Sequence, residues 1–155
     1  AGTGSGKTLA FYLPALARLA YHIRRDPNDR RWVKILAVYP RNELLKDQFA
    51  EVYGQARRLD ASLRAAGRRK VLIGTYFGPT PESAAVAHEK KGWRTHQDGV
   101  VCEFLRCPTN SCNGDMIWRS SDRAADLERL SCLECGSIID SDEIILTRRL
   151  TPEGG

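Results

Sequence analysis

The chain opens on Ala1-Gly2-Thr3-Gly4-Ser5-Gly6-Lys7-Thr8, and an apolar helical pattern follows without a break. Few short segments constrain a fold as tightly. In a loop of this kind the backbone N–H groups point inward and cradle nucleotide phosphates. Gly4 and Gly6 let the backbone curl with no Cβ in the way. Lys7 is placed to reach the β- and γ-phosphates and the Thr8 hydroxyl to hold Mg²⁺, with the positive end of the next helix behind them. The competing reading is a Gly-rich turn that binds nothing, since the general pattern has Gly where this chain has Ala1. A buried strand normally precedes such a loop. None does here and no initiator Met is present, so the chain is expected to be a fragment of a longer protein.

The periodicity downstream supports an α/β frame. Leu9, Leu13, Leu16, Ala20 and Ile23 recur at helical spacing and predict a helix over 8–24, with Pro14 as a kink. Asp26-Pro27-Asn28-Asp29 reads as a turn. Val33 to Tyr39 is an apolar, β-rich run with the length of a buried parallel strand, ended by Pro40. Asn42 is predicted to cap a second helix from Glu43 to Leu63, with Leu44, Leu45, Phe49, Val52 and Ala56 inward. Val71 to Thr75 is the next buried strand. Helix, strand, helix, strand predicts a doubly wound sheet. Gly78-Pro79-Thr80-Pro81 breaks the pattern, and Thr80 is a candidate cap for a short helix. Val100 to Leu105 is strand-like, and Ile144-Ile145-Leu146 is a further strand candidate.

The 155 residues suit a domain of ordinary size, and 42% apolar with 28% charged residues is normal for a globular protein. No apolar run is long enough to span a bilayer. Lys and Arg outnumber Asp and Glu by 24 to 19, a net charge of +5 that fits a phosphate-rich partner. The clusters Arg24-Arg25, Arg30-Arg31, Arg57-Arg58 and Arg68-Arg69-Lys70 read equally well as solvated faces. Trp32, Trp93 and Trp118 read as packing residues. The Lys90-Lys91-Gly92-Trp93-Arg94 stretch between His88 and His96 offers charge and a ring for stacking on a base, or is simply a loop.

Tyr39-Pro40-Arg41-Asn42-Glu43-Leu44-Leu45-Lys46-Asp47-Gln48 lies where a strand ends and a helix begins, the ligand-binding edge of such a sheet. Together with the opening loop it is recognisable. GTGSGKTLAFYLPAL resembles motif I of the superfamily 2 DEAD/DEAH-box helicases, in which Ala at the place of Ala1 is usual. YPRNELLKDQ resembles their motif Ia, about thirty residues downstream as in the family. The segment from Gly74 to Pro81 is similar to a Y-x-G-D-T segment in a bacterial branch of these helicases, which often carries four cysteines. The resemblance implies a partial RecA-like P-loop lobe with a parallel sheet. It implies ATP with Mg²⁺ held by Gly2, Thr3, Gly4, Ser5, Gly6, Lys7 and Thr8, with Lys7 and Thr8 in the catalytic roles. It implies a DNA or RNA backbone contacted by Pro40, Arg41 and Asn42. The departures are specific: no Asp-Glu-x-His/Asp motif is found, and Asp142-Glu143-Ile144-Ile145 has its acids before the strand instead of after it. The Ser-Ala-Thr and arginine-rich motifs are absent too. Thr151-Pro152-Glu153-Gly154 is only faintly similar to a Thr-Pro-Gly-Arg motif. The parent protein is thus expected to be an ATP-dependent helicase and this chain alone inactive.

All five cysteines fall between residues 102 and 135. Beside a nucleotide loop the compartment is expected to be reducing and cytoplasmic, so thiols point to a metal and not to disulfides. Cys107 and Cys112 are separated by four residues, Cys132 and Cys135 by two, with nineteen residues between the pairs. That is the sequence form of a Cys₄ zinc ribbon holding one Zn²⁺. Pro108, Gly114 and Gly136 permit the knuckle turns. Unligated thiols are the alternative. Cys102 is a bystander, or less readily a substitute for Cys107. Met116, Ile117, Trp118, Leu127 and Leu130 are most of the ribbon's large apolar residues, so its folding over roughly 100–145 is expected to depend on metal. The expected organisation is a lobe over 1–94, a zinc-ribbon insertion over 95–146, and a return to the lobe over 147–155. Two alternatives compete with a helicase: a zinc-ribbon binding module on a non-hydrolysing lobe, and an ATP-driven translocase that separates no strands.

Overall fold

The computed structural model describes residues 5–26, 28, 31–87, 93–109 and 111–148, with the side chains of residues 5–9 outside that description. Helix α1 spans Ser5–Arg25 and runs through Pro14. Its buried stripe is Tyr12, Leu16 and Ile23, with Leu19 half-buried, while Leu13 stays 59% exposed. Helix α2 spans Asn42–Ala65 and buries Phe49, Tyr53, Ala56, Asp60 and Leu63. The cap position belongs to Arg41, not Asn42, and no side chain caps the helix. Leu44 is turned outward, 42% exposed. Tyr12, Leu16 and Ile23 of α1 meet Ala56 and Leu63 of α2 in one apolar cluster, closed by Val71.

Two small β systems accompany the helices. Strand β1 (Ile73–Gly74) pairs in parallel with β7 (Ile144–Ile145), Ile73 opposite Ile144. The buried run from Val71 to Thr75 thus contributes only its middle to a ladder. The predicted strand Val33–Tyr39 does not form: it is irregular, and Leu36 and Val38 are about 80% exposed (80% and 82%). Its composition is that of a strand, but the parallel sheet holds only β1 and β7 among the described residues, and neither reaches it. Thr80 caps no helix. It turns back, accepting the Phe77 N–H at 3.1 Å while wholly buried, and the 78–87 segment is a series of bends and turns.

The second system is an antiparallel sheet in chain order: β2 (Arg94–His96), β3 (Gly99–Arg106), β4 (Asp115–Arg119), β5 (Leu130–Cys132) and β6 (Ile138–Ile139). A short helix, α3 (Ser120–Ala124), links β4 to β5. This sheet does not stand apart from the helices. Phe104 on β3 meets Phe49 of α2, Phe77 and Trp93 edge-on, ring centroids 5.1, 5.8 and 5.8 Å apart. Met116, Trp118 and Leu130 lie in the same cluster, fully enclosed. Trp93 and Trp118 are packing residues, their indole N–H groups donating to the Pro79 and Leu127 carbonyls at 3.0 and 2.7 Å. Trp32 is 58% exposed, with the Lys34 ammonium over its ring. The sheet therefore has an apolar core of its own chain and of α2, so its folding rests on more than a metal. No helix among the described residues is long and apolar enough to cross a membrane.

A charged hub ties α2 to the parallel pair. Glu143, just before β7, accepts the Tyr53 hydroxyl and the Lys70 ammonium, each at 2.6 Å, with Arg57 at 3.5 Å. Arg57 also faces Asp60 at 3.4 Å and donates to the Val71 carbonyl. Two members of the basic clusters, Arg57 and Lys70, are thus partly buried ion-pair residues and not a solvated face. Burial and then the Glu143 hydrogen bond push the Tyr53 hydroxyl's pKa upward. The hydrogen bond from Lys70 to Glu143 raises the Lys70 pKa above its ordinary 10.5. A raised folded value means that this stabilisation is complete below 10.5 and disappears as pH climbs through the raised value. Lys70→Met is expected to destabilise the fold by about 1–2 kcal/mol at neutral pH. Denaturant midpoints of the two proteins should converge well above pH 10.5; a constant gap would show that Lys70 acts by packing alone.

Candidate metal centre and nucleotide-binding end

The four thiols predicted as ligands come together. Cys107 follows β3, Cys112 lies in the turn before β4, Cys132 ends β5 and Cys135 sits in the β5–β6 turn. Their sulfurs all lie within 4.8 Å of one another. Cys107 Sγ is 3.5 Å from Cys135 Sγ, and Cys112 Sγ is 3.6 Å from Cys132 Sγ. Four sulfurs at about 2.3 Å from a central ion stand about 3.8 Å apart in a tetrahedron, so the donor set fits a tetrahedral thiolate metal. Cys102 is elsewhere, buried in β3, where burial pushes its thiol up to about 12. Such a thiol is inert.

Local hydrogen bonding builds the cradle. The Glu134 and Cys135 backbone N–H groups point at Cys132 Sγ from 3.4 and 3.5 Å. The Gly136 N–H donates to the Cys132 carbonyl at 3.2 Å, and the Cys132 N–H to the Ser137 carbonyl at 2.8 Å. Gly136 takes φ 73°, a left-handed conformation that needs no Cβ. Gly114 serves differently: a Cβ there would stand 3.0 Å from Cys132 Sγ and 2.8 Å from the Glu134 carboxyl carbon, so glycine lets the first knuckle close on the second. Ser137 Oγ sits 3.1 Å from Cys107 Sγ and 3.3 Å from Cys135 Sγ. Hydrogen bonds from the Ser137 hydroxyl and backbone hold the Cys135 thiol down at about 6. Burial alone would raise Cys107, but Ser137 and Thr109 outweigh it and lower that thiol too. Cys107 and Cys135 thus lean toward the thiolate that a metal ligand requires, whereas Cys112 leans away: the Gly114 backbone lowers it, but hydrogen bonds with the neighbouring thiols outweigh that and push it up to about 12. Ser137 was not legible in the sequence; a hydroxyl two residues past the last cysteine is its only signal.

At the other end, Gly2, Thr3 and Gly4 lie outside the described residues. Ser5, Gly6, Lys7 and Thr8 form the first turn of α1, three residues earlier than the predicted helix start, and their side chains lie outside the description. The segment 151–154 and residues 88–92 also lie outside it, so that of the Lys90–Arg94 stretch only Trp93 and Arg94 are described. Pro40, Arg41 and Asn42 are all exposed at the start of α2. Arg41 is extended, φ −139° and ψ 140°, and its carbonyl receives the Leu45 N–H at 3.1 Å. With no side-chain cap, the first-turn N–H groups of α2 remain open to an acceptor beside two polar side chains.

The comparisons with known proteins bear on this same half of the chain. Residues 1–73 match the DEAD/DEAH box helicase family. The match takes in the 1–8 loop and the 40–48 segment and stops short of the antiparallel sheet and its thiols. The chain is also similar to the Druantia protein DruE of Escherichia coli (strain UMEA 4076-1), 34% identical over 84 residues. That stretch covers 52% of this chain and 5% of the relative, so the chain corresponds to a small part of that protein. No solved structure matches the chain. The resemblance to DEAD/DEAH-box helicases read from the two motifs is thereby shown, and that family's RecA-like fold agrees with the helices and parallel pair seen here.

Proposed function

We propose that this chain is part of an ATP-dependent nucleic-acid helicase. The observation that carries the reading is the family match over residues 1–73, which spans both the nucleotide loop and the 40–42 segment. Lys7 would neutralise the β- and γ-phosphates and Thr8 would hold Mg²⁺, from the first turn of α1. Pro40, Arg41 and Asn42 would take the phosphate backbone of DNA or RNA at the open start of α2, positioning the strand without reading its bases. Cys107, Cys112, Cys132 and Cys135 would hold one Zn²⁺. Four protein ligands leave no open position, so the metal would be structural.

The domain reading is a lobe over 1–94, an insertion over 95–146 and a return over 147–155. The parallel pairing of Ile73 with Ile144 supports an insertion, because the chain leaves after β1, forms the antiparallel sheet and comes back beside β1, with the return at residue 144 and not 147.

ATP turnover by the full-length protein, with and without DNA or RNA, tests the reading. Turnover stimulated by nucleic acid is expected, followed by strand displacement from a partial duplex. Turnover without displacement would identify a translocase. Binding without turnover would identify a module on a non-hydrolysing lobe. Replacing Arg41 and Asn42 together with Ala should weaken binding alike for all sequences and reduce the salt slope by about 1. An unchanged slope would show that the segment is only a turn leading into α2.

A further inference from the structure

We propose that Glu103 is a positioning residue: its ion pair with Lys46 holds the exposed start of α2, and with it Arg41 and Asn42, on strand β3. The proposal rests on the reading of Pro40–Asn42 as a nucleic-acid contact. Helix α2 is secured along its second half. Ala56 and Leu63 pack on α1, and Tyr53 and Arg57 join the Glu143 hub. Its start has far less. Asn42, Glu43 and Leu44 are exposed, no side chain caps the helix, and the first buried side chain is Phe49. Half-buried Leu45, packed on the core, and Lys46 together bridge that stretch. Lys46 Nζ donates to Glu103 Oε1 at 2.6 Å across 57 residues of sequence.

Three features separate this pair from an ordinary surface bridge. Its side chains are only 27% and 20% exposed, so water screens it less. The other carboxylate oxygen, Glu103 Oε2, is buried without a hydrogen-bond partner, so the ammonium is what compensates this charge among the described residues. Glu103 stands in the irregular stretch of β3 between the Val101–Ile117 and Arg106–Asp115 pairs, and buried Cys102 and Phe104 fix it on either side, Phe104 against Phe49 of α2. Lys46 sits just over one helical turn beyond Arg41 and Asn42, at about 1.5 Å per residue, so a shift at Lys46 is carried to them with little loss.

The test uses the full-length protein, a labelled oligothymidylate and its RNA counterpart. Glu103→Lys and Lys46→Glu should each weaken binding about tenfold, and the double swap should restore it to within about threefold. Amide exchange over 42–49 should quicken in both single variants and return in the swap, a readout that needs no nucleic acid. Thermal unfolding serves as the control, with Glu103→Gln as a gentler variant should either charge reversal fail to fold. Binding and exchange unchanged in the single variants would overturn the proposal while leaving the Arg41 and Asn42 reading intact. A swap that fails to rescue, with a smaller salt slope for Lys46→Glu alone, would show that Lys46 is itself a phosphate contact and overturn it too. Altered exchange without altered binding, in a protein indifferent to Arg41 and Asn42, would sink the nucleic-acid reading and with it the positioning role.

Discussion

Lys7→Ala in the full-length protein is expected to lower ATP turnover by at least about 10²-fold. Phosphoryl transfer leaves little covalent chemistry to the protein. Catalysis is positioning plus neutralisation of charge on the phosphoryl oxygens, and the motif provides one lysine for that purpose. The backbone N–H cradle would remain, so nucleotide binding should weaken less than turnover falls. Circular dichroism should be unchanged, since among the described residues the α1–α2 core begins at Tyr12, past the loop. Turnover at the wild-type rate would remove the nucleotide assignment altogether. Steady-state hydrolysis at saturating nucleic acid is the measurement.

The second large effect is on metal content. One zinc per chain is expected in wild type and in Cys102→Ser, and its loss in Cys132→Ser, by elemental analysis. Free zinc-finger peptides owe their folding to the metal. This sheet differs, because Met116, Ile117, Trp118 and Leu130 are fully buried and Phe104 packs on Phe49. Metal loss should therefore loosen mainly the two knuckles, about 107–114 and 132–137, while the centres of β3 and β4 keep their amide protection. That is narrower than the 100–145 span suggested by counting apolar residues. Cys102→Ser should cost about 1–2 kcal/mol by burying a hydroxyl, with zinc unchanged. Zinc loss in Cys102→Ser, or a wild-type protein free of metal, would overturn the ligand set.

What could be read from the sequence was local. The helical spacing of Leu16 with Ile23, and of Phe49 with Ala56, marked buried faces that the structure retains. The cysteine spacing marked two turns, and those turns bring the sulfurs together. What escaped was set by partners far along the chain. Val33–Tyr39 has a strand's composition, but composition does not name a ladder partner, and none among the described residues pairs with it. The Lys70–Glu143 bond joins residues 73 apart, and Lys46–Glu103 residues 57 apart. Neither leaves a periodic trace. Thr80 was misread for a simpler reason: a threonine before a proline suits a helix start, but its hydroxyl bonds backward, to Phe77.

The parallel seam between β1 and β7 has a kinetic consequence. Ile73 and Ile144 are partners, yet they stand 71 positions apart in the chain (144 − 73). The antiparallel strands β2 to β6 are joined in order by short connections and make mostly near-neighbour contacts. Closing the long loop demands chain entropy before any contact rewards it, whereas the meander can nucleate locally. During refolding the meander would gather first and the seam would zip last. A nascent chain would hold its thiols in one place while the two halves of the parallel pair were still strangers, and metal capture would precede completion of the nucleotide-binding frame.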